Sequence, residues 1–327
     1  MAPIRWERIP TPIIQRSHAE VAHRDAAIHY HDGVFRVFYG MAFLRDQGRV
    51  QFQLTVTESS DLIEWTEPRT LTPLDDDLNF TDPGNIVRHD GEWIMTVETH
   101  RTPFSPSGGG ETARSWMMRS DDLEHWSDPE LMLLKGPDVS DERMGRCIGS
   151  CLFPDRQEQG KWWCFFKHGG VTLHDSRGLA YGGGGLPELP RRYALLGSLN
   201  MSYSYDLRDW TWFARMDSEE NYCVLVEEDG YVLIDSPYNG VGVRMSTDLI
   251  HWHEVGLYTL GQREWPWAQG RLSAAHVIDL RAEPDVGKYV MVFHGCSREG
   301  KAASNIHGAA SLAIAWSDDL ANWYWPE

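Results

Sequence analysis

Five short stretches of this 327-residue chain place an ionisable side chain where an apolar run begins. They are "HRDAAI" with Asp25, "FTDPGNI" with Asp82, "GRCIGSC" with Arg146, "SEENYC" with Glu219 and Glu220, and "LSAAHV" with His276. Carboxylates brought together repel one another, so a cluster of them is unfavourable unless something positive or reactive occupies the space between. The natural chemistry of such a set is acid–base work, with one carboxyl protonated and another ionised. Further polar groups close the apolar runs that follow: Tyr39, Glu98, His100, His168 and His294. Three histidines at equivalent positions suit contacts to the hydroxyl groups of a ligand.

Whether these groups meet depends on the elements that carry them. Ser-x-Asp-Leu-x-x-Trp occurs five times, as "SSDLIEW" (59–65), "SDDLEHW" (120–126), "SYDLRDW" (204–210), "STDLIHW" (246–252) and "SDDLANW" (317–323). Upstream of each copy stands a turn between apolar runs, as in "HDGVFRVFYG" (31–40) and "HDGEWIMTVET" (89–99), a strong hairpin signal. One unit therefore reads as strand A, Asp-Gly turn, strand B, variable loop, strand C, Asp-Leu turn and a short strand D. Repeated five times, this predicts an all-β fold, a five-bladed β-propeller of four-stranded antiparallel blades forming one domain over residues 1–327. The Ser and Asp side chains are expected to satisfy the C–D turn backbone, and the Leu and Trp to pack between blades. The last blade looks short of an outer strand, which the N-terminal "PIRWERI" is expected to complete.

Because strands alternate in direction, the start of strand A and the B–C loop share a face. The B–C loops are long and Gly-rich, as in "GGVTLHDSRGLAYGGGGLPELPRRY", without the Lys-Ser/Thr of a phosphate loop. Asp25, Asp82, Arg146, Glu219 or Glu220, and His276 are thus expected around one axial mouth, with Trp265, Trp267 and Tyr181 as nearby aromatic surfaces.

The formal net charge of −18 argues against nucleic acid and anionic membranes as partners. No segment approaches the roughly 18 apolar residues of a membrane span. "MAPIRWERIP" has no apolar secretory core, so a cytoplasmic protein is expected. The five cysteines suit buried free thiols, and Cys147 and Cys151 lack a second pair to make a zinc site. A homo-oligomer is left open.

In this arrangement the chain resembles the five-bladed propeller glycoside hydrolases, the broad group of families 43, 32, 68 and 117. "AHRDAAIHYHDGVFRVFYG" and "FTDPGNIVRHDGEWIMTV" are similar to the blade openings of that group. The resemblance implies a carbohydrate substrate, a small oligosaccharide or glycoside, with Asp25 as base or nucleophile and Glu220 as general acid, Glu219 being its alternate. It implies Asp82 as the orienting or pKa-shifting partner. That second Asp commonly comes from blade 3, where this chain has "CIGSC". Arg24, His100, Arg146, His168, His276 and His294 are the expected substrate contacts. No cofactor is implied as required, and a water or structural metal is implied near His276 on the axis. The mannoside phosphorylases of family 130 are also similar. On that reading Asp82 is the proton donor and Arg24, Arg146 or His168 holds phosphate, although Gly84 stands where their "DPR" motif has Arg. A propeller that binds glycans without cleaving them is the third reading.

Overall fold

The computed structural model describes residues 3–14, 21–45, 50–100, 113–134, 146–169, 198–217, 220–237, 239–299 and 310–326, with the side chains of 146, 168, 198 and 215–217 outside that description. Strands β1 (Val21–His31), β2 (Val34–Leu44), β3 (Val50–Ser59) and β4 (Arg69–Thr70) make the first blade. The second comprises β5 (Phe80–His89), β6 (Glu92–Thr99), β7 (Arg114–Ser120) and β8 (Glu130–Leu131). The third is built from β9 (Arg146–Pro154), β10 (Trp162–Gly169), β11 (Ser198–Ser204) and β12 (Thr211–Asp217). The fourth has β13 (Glu220–Glu227), β14 (Gly230–Ser236), β15 (Val241–Ser246) and β16 (His253–Tyr258). The fifth has β17 (Arg271–Leu280), β18 (Lys288–Cys296), β19 (Ser311–Ser317) and β20 (Trp323–Tyr324). Each blade is a four-stranded meander paired in chain order, the five-bladed propeller expected from the repeats.

The repeated motif makes one turn five times. In the second blade Asp122 Oδ1 accepts the N–H groups of Glu124 and His125, both at 2.8 Å, while Ser120 Oγ accepts that of Leu123 at 2.9 Å. These acceptors hold the leucine in the left-handed region, with φ of 64°, 66°, 57°, 66° and 63° at Leu62, Leu123, Leu207, Leu249 and Leu320. A branched residue adopts that conformation at a cost of about 1 kcal/mol, offset here by hydrogen bonds and burial. Each of these leucines is buried. Leu62 joins a core with Val290 of the fifth blade, Leu207 with Ile94 of the second, Leu249 with Phe153 of the third and Leu320 with Val232 of the fourth. The tryptophans follow: Trp126 meets Phe38 edge-on at 5.9 Å and Trp252 meets Phe165 at 6.3 Å, each across a seam. The motif therefore fastens each blade to its predecessor.

The ring closes with both chain ends. β20 supplies a short outer strand to the fifth blade, and Ile14 pairs with Leu312 farther along the same edge of β19. The stretch at Trp6–Arg8 is a 3-10 turn rather than a strand, with Trp6 lying against Trp316 at 4.9 Å. The outer edge is thus shared between the two ends, and only residues beyond "PIRWERI" pair with it.

Two outcomes test this account of the turns. Ser246→Ala removes a buried acceptor for the N–H groups of Asp248 and Leu249. It is expected to cost about 1 kcal/mol, a fall of roughly 2 °C in the thermal midpoint. An unchanged midpoint would contradict the capping role. The carboxyls of Asp61, Asp122, Asp206, Asp248 and Asp319 all lie below their ordinary range. At Asp122 and Asp206 the turn N–H groups are the main cause, and at Asp248 and Asp319 the side chains of His251 and Asn322 are. Depressed folded values mean the contribution is present above the unfolded pKa of about 4 and is lost as pH falls through the folded values. Urea midpoints measured across that window are expected to drop below about pH 4, and a flat profile there would contradict the assignment.

Candidate active site

The innermost strand of every blade carries a bulge at the same level, with two of its residues opposite one of the next strand. Asp25 and Ala26 face Tyr39, Gly84 and Asn85 face Thr96, and Gly149 and Ser150 face Phe166. Asn221 and Tyr222 face Asp235, and Ala274 and Ala275 face Phe293. The first residue of the bulge is left-handed in four blades, with φ of 46° at Asp25, 64° at Gly149, 53° at Asn221 and 53° at Ala274. Asp and Asn tolerate that conformation because their short polar side chains bond locally. Such a bulge re-aims side chains and bends the strand. Here bulge residues from all five blades, joined by Asp82, Glu98 and His276, line a small open cavity of about 50 Å³ on the axis.

Asp25 is the most heavily engaged group in it. Arg24 reaches its Oδ2 through Nε and Nη2, Asn221 Nδ2 donates to its Oδ1 at 2.7 Å, and its own N–H donates to His294 Nδ1 at 3.0 Å. Burial pushes the His294 imidazole down to about 4, against the pull of Asp25, so the ring is neutral and its Nδ1 is free to accept. Arg24 is buried over the Phe52 ring at 5.5 Å and also lies 3.5 Å from Asp82 Oδ1. Burial opposes its charge, and the Asp25 and Asp82 carboxyls more than offset that, raising its pKa. Asp82 behaves in the opposite sense. Burial pushes its carboxyl well above the usual carboxylate range; Arg24 opposes the rise, and Asp25 and Glu98 add to it. The interaction with Asp25 acts in the same direction as burial, so Asp82 is the carboxyl of the pair that favours its protonated form.

Glu98 is the direct cross-strand partner of Asp82. Its Oε2 accepts the Gly149 N–H at 3.0 Å, and its Oε1 is in close contact with His100 Nε2. His276 sits at the base of the cavity and also lines a second space on the opposite face with His29. Burial pushes His276 down to about 4, and its Nδ1 has no hydrogen-bond partner among the described residues. Among the described residues no three His, Cys, Asp or Glu side chains are arranged to hold a metal ion.

The residues singled out by the sequence fall into three groups. Arg24, Asp25, Asp82, His276 and His294 meet at the axis, with His100 beside Glu98. Glu220 occupies the place before the bulge that Arg24 holds in the first blade; its carboxylate is ion-paired with the buried Lys167 of the third blade and is not part of the cavity wall. Tyr39 is fully buried, and Trp265 and Trp267 stack on each other and on Phe293. Arg146 and His168 have described backbone in β9 and β10 only, while Glu219 and Tyr181 lie outside the described residues. Asn221, and Glu98 as a wall of the cavity, were not assigned from sequence. Asp82 and Glu98 straddle the Asp90–Gly91 turn, but the second-blade bulge shifts their register by one residue, and that shift is what places them opposite.

No family model matches the chain, and no curated protein matches it. Solved structures do. The catalytic domain of a GH62 α-L-arabinofuranosidase from Coprinopsis cinerea superposes with a TM-score of 0.62 at 12% identity, covering 95% of this chain and 96% of that one. A GH43_1 enzyme from Xanthomonas citri, complexed with xylotriose, gives 0.60 at 11% identity over 95% of this chain and 90% of its own. An exo-1,5-α-L-arabinanase from a bovine ruminal metagenomic library gives 0.55 at 15% identity over 92% and 95%. At these identities the likeness is one of architecture, and the chain carries the five-bladed β-propeller fold of the GH43 and GH62 glycoside hydrolases.

Proposed function

We propose that the protein is a glycoside hydrolase that cleaves glycosidic bonds at the propeller axis. The observation that carries this reading is the Asp25–Asp82 pair, two buried carboxyls that share the Arg24 guanidinium, with Asn221 bonded to Asp25 and burial raising Asp82 above the usual carboxylate range. Glycosidic cleavage passes through an oxocarbenium-like transition state, and a fixed carboxylate across from the leaving group either activates water or attacks the anomeric carbon. Asp25 is suited to that role because its orientation is set by a backbone bulge, an arginine and an asparagine rather than by solvent. Asp82 holds the shared proton and steadies Asp25, and Arg24 limits the repulsion between the two. His294, neutral beneath Asp25, fixes the backbone from which it projects. The common fold with a xylotriose-binding enzyme and with arabinose-releasing enzymes supports small pentose-containing glycosides as substrates.

Two observations favour hydrolysis over phosphorolysis. A Cβ on Gly84 would lie 2.0 Å from Thr96 Oγ1 and 2.2 Å from the Ser150 carbonyl oxygen, so the backbone has no room for an arginine at that place. Arg24 is already committed to two carboxyls, in a cavity whose acidic groups would repel a phosphate dianion.

The reading is checked by sugar release from nitrophenyl arabinofuranosides and xylopyranosides, with and without inorganic phosphate. Phosphate-independent release, reduced at least about a hundredfold in Asp25→Asn, is expected. Release only in the presence of phosphate would replace the hydrolase reading with a phosphorylase. The Asp82 proton makes a second prediction. Its folded pKa lies above the unfolded value, so the native state binds the extra proton, and stability contributed at low pH is lost as pH rises between the two values. Asp82→Asn, which has no proton to lose, is expected to be more thermostable than the parent at neutral pH, with the advantage shrinking toward about pH 4 and with lowered kcat. A destabilised variant at neutral pH would contradict the protonated state.

A further inference from the structure

The axis holds a second and roomier space on the face of the Asp-Gly turns. It measures about 350 Å³, against about 50 Å³ for the cavity at the bulges, and falls within the range of small-molecule sites. A cavity of about 150 Å³ takes up benzene, so this one admits a single ring together with its substituents. All five innermost strands contribute to its wall, from His29 and Tyr30 of β1 round to Asp279 and Leu280 of β17. Each of these strands ends its sheet, so an unpaired strand edge is turned to the axis from every blade. We propose that this channel is a binding site for one neutral polyol of about the size of a monosaccharide. The site lies apart from the carboxyl cluster and does not depend on what that cluster catalyses.

Main-chain groups set the chemistry of the wall. Nearest the bulges, side chains tie one blade's edge to the next. Asn85 Nδ2 donates to the Leu152 carbonyl at 2.6 Å, while its Oδ1 accepts the Leu152 N–H at 2.8 Å. Cys223 Sγ serves Val277 in the same way, at 3.3 Å to the carbonyl and 3.4 Å from the N–H. Val87 stands at the matching place in the second blade, where the counterpart of Cys223 is Ala27, with no polar group to offer. Every second residue of a strand turns its N–H and carbonyl to the same edge. Two residues beyond that level lie Tyr30, Pro154, Val226 and Asp279, all in the channel wall. Two imidazole nitrogens join this set, since His29 Nε2 and His276 Nδ1 have no hydrogen-bond partner among the described residues. Burial, and then the nearby His31 and Arg36, push His29 down to about 3, and burial pushes His276 down to about 4. Both rings are therefore neutral, and the Asp279 carboxylate is taken up by Arg281 at 2.9 and 2.7 Å. A wall without uncompensated charge favours a neutral occupant. Scattered donors and acceptors favour one with several hydroxyl groups, because an occupant with a single polar end would strip water from the rest without replacing it.

NMR of protein carrying nitrogen-15 in its histidine rings, titrated with D-xylose, L-arabinose and myo-inositol, tests the site. The His29 resonances, identified by their loss in His29→Phe, are expected to shift saturably with at least one of the three. Val226 lines the channel from an exposed position, so the indole of Val226→Trp fills that space. This variant is expected to abolish the shift at His29 while the remaining histidine resonances keep their places. His29→Phe keeps a ring against Trp93 and removes the nitrogens. Followed at the His276 resonances, it is expected to weaken binding about fivefold, the worth of one hydrogen bond. Phenol, an apolar ring with a single hydroxyl, is the contrasting probe. A saturable shift with phenol and none with the three polyols would overturn the ligand class. A shift at His29 that persists undiminished in Val226→Trp, or no saturable shift with any probe, would overturn the site itself.

Discussion

Everything at the axis depends on a guanidinium buried between two carboxyls. Placed together without Arg24, Asp25 and Asp82 would both be driven toward the neutral form, since burial and mutual repulsion act in the same direction. Arg24 breaks that symmetry. It takes two contacts to Asp25 and a longer one to Asp82, so Asp25 carries the charge and Asp82 the proton. The arrangement is the kind that separates the roles of neighbouring carboxyl groups in catalytic sites, where environment rather than residue type decides which is acid and which is anion.

The scaffold makes that arrangement possible by repeating one distortion around a ring. A left-handed residue inside a strand is costly for most side chains, yet four blades accept one at the same level. The strain is held by strong antiparallel pairing on either side and by apolar seams between blades, which the Ser-x-Asp-Leu-x-x-Trp turns fasten on the opposite face. Rigid turns on one face and re-aimed side chains on the other divide the molecule into a structural half and a chemical half. Lys167 shows the same division at smaller scale. Buried in the third blade, it holds Glu220 of the fourth across the seam as a non-local ion pair.

How much of this could be read from the chain follows from the range of each interaction. The five turns were legible because Ser, Asp and Leu act on their own backbone within four residues, so the sequence pattern and the structure are the same fact. Asp25 and Asp82 were legible because they open apolar runs after polar stretches. The register of the axis was less so. A bulge adds one residue to a strand without changing its composition, and a shift of one reverses which side chains face inward. That is why Asn221 rather than Glu220 reaches the axis in the fourth blade, and why Glu98 lies opposite Asp82. Contacts between blades, such as Lys167 with Glu220, leave no local trace.

The central claim is that one of two adjoining aspartates keeps a proton at neutral pH while the other is ionised. Carbon-13 NMR of the protein labelled at its aspartate carboxyls reads this directly when the parent is compared with Asp82→Asn. One carboxyl resonance with the shift of a protonated acid at neutral pH, absent from the variant, is the predicted result. A parent spectrum in which every aspartate is ionised at neutral pH would contradict the account.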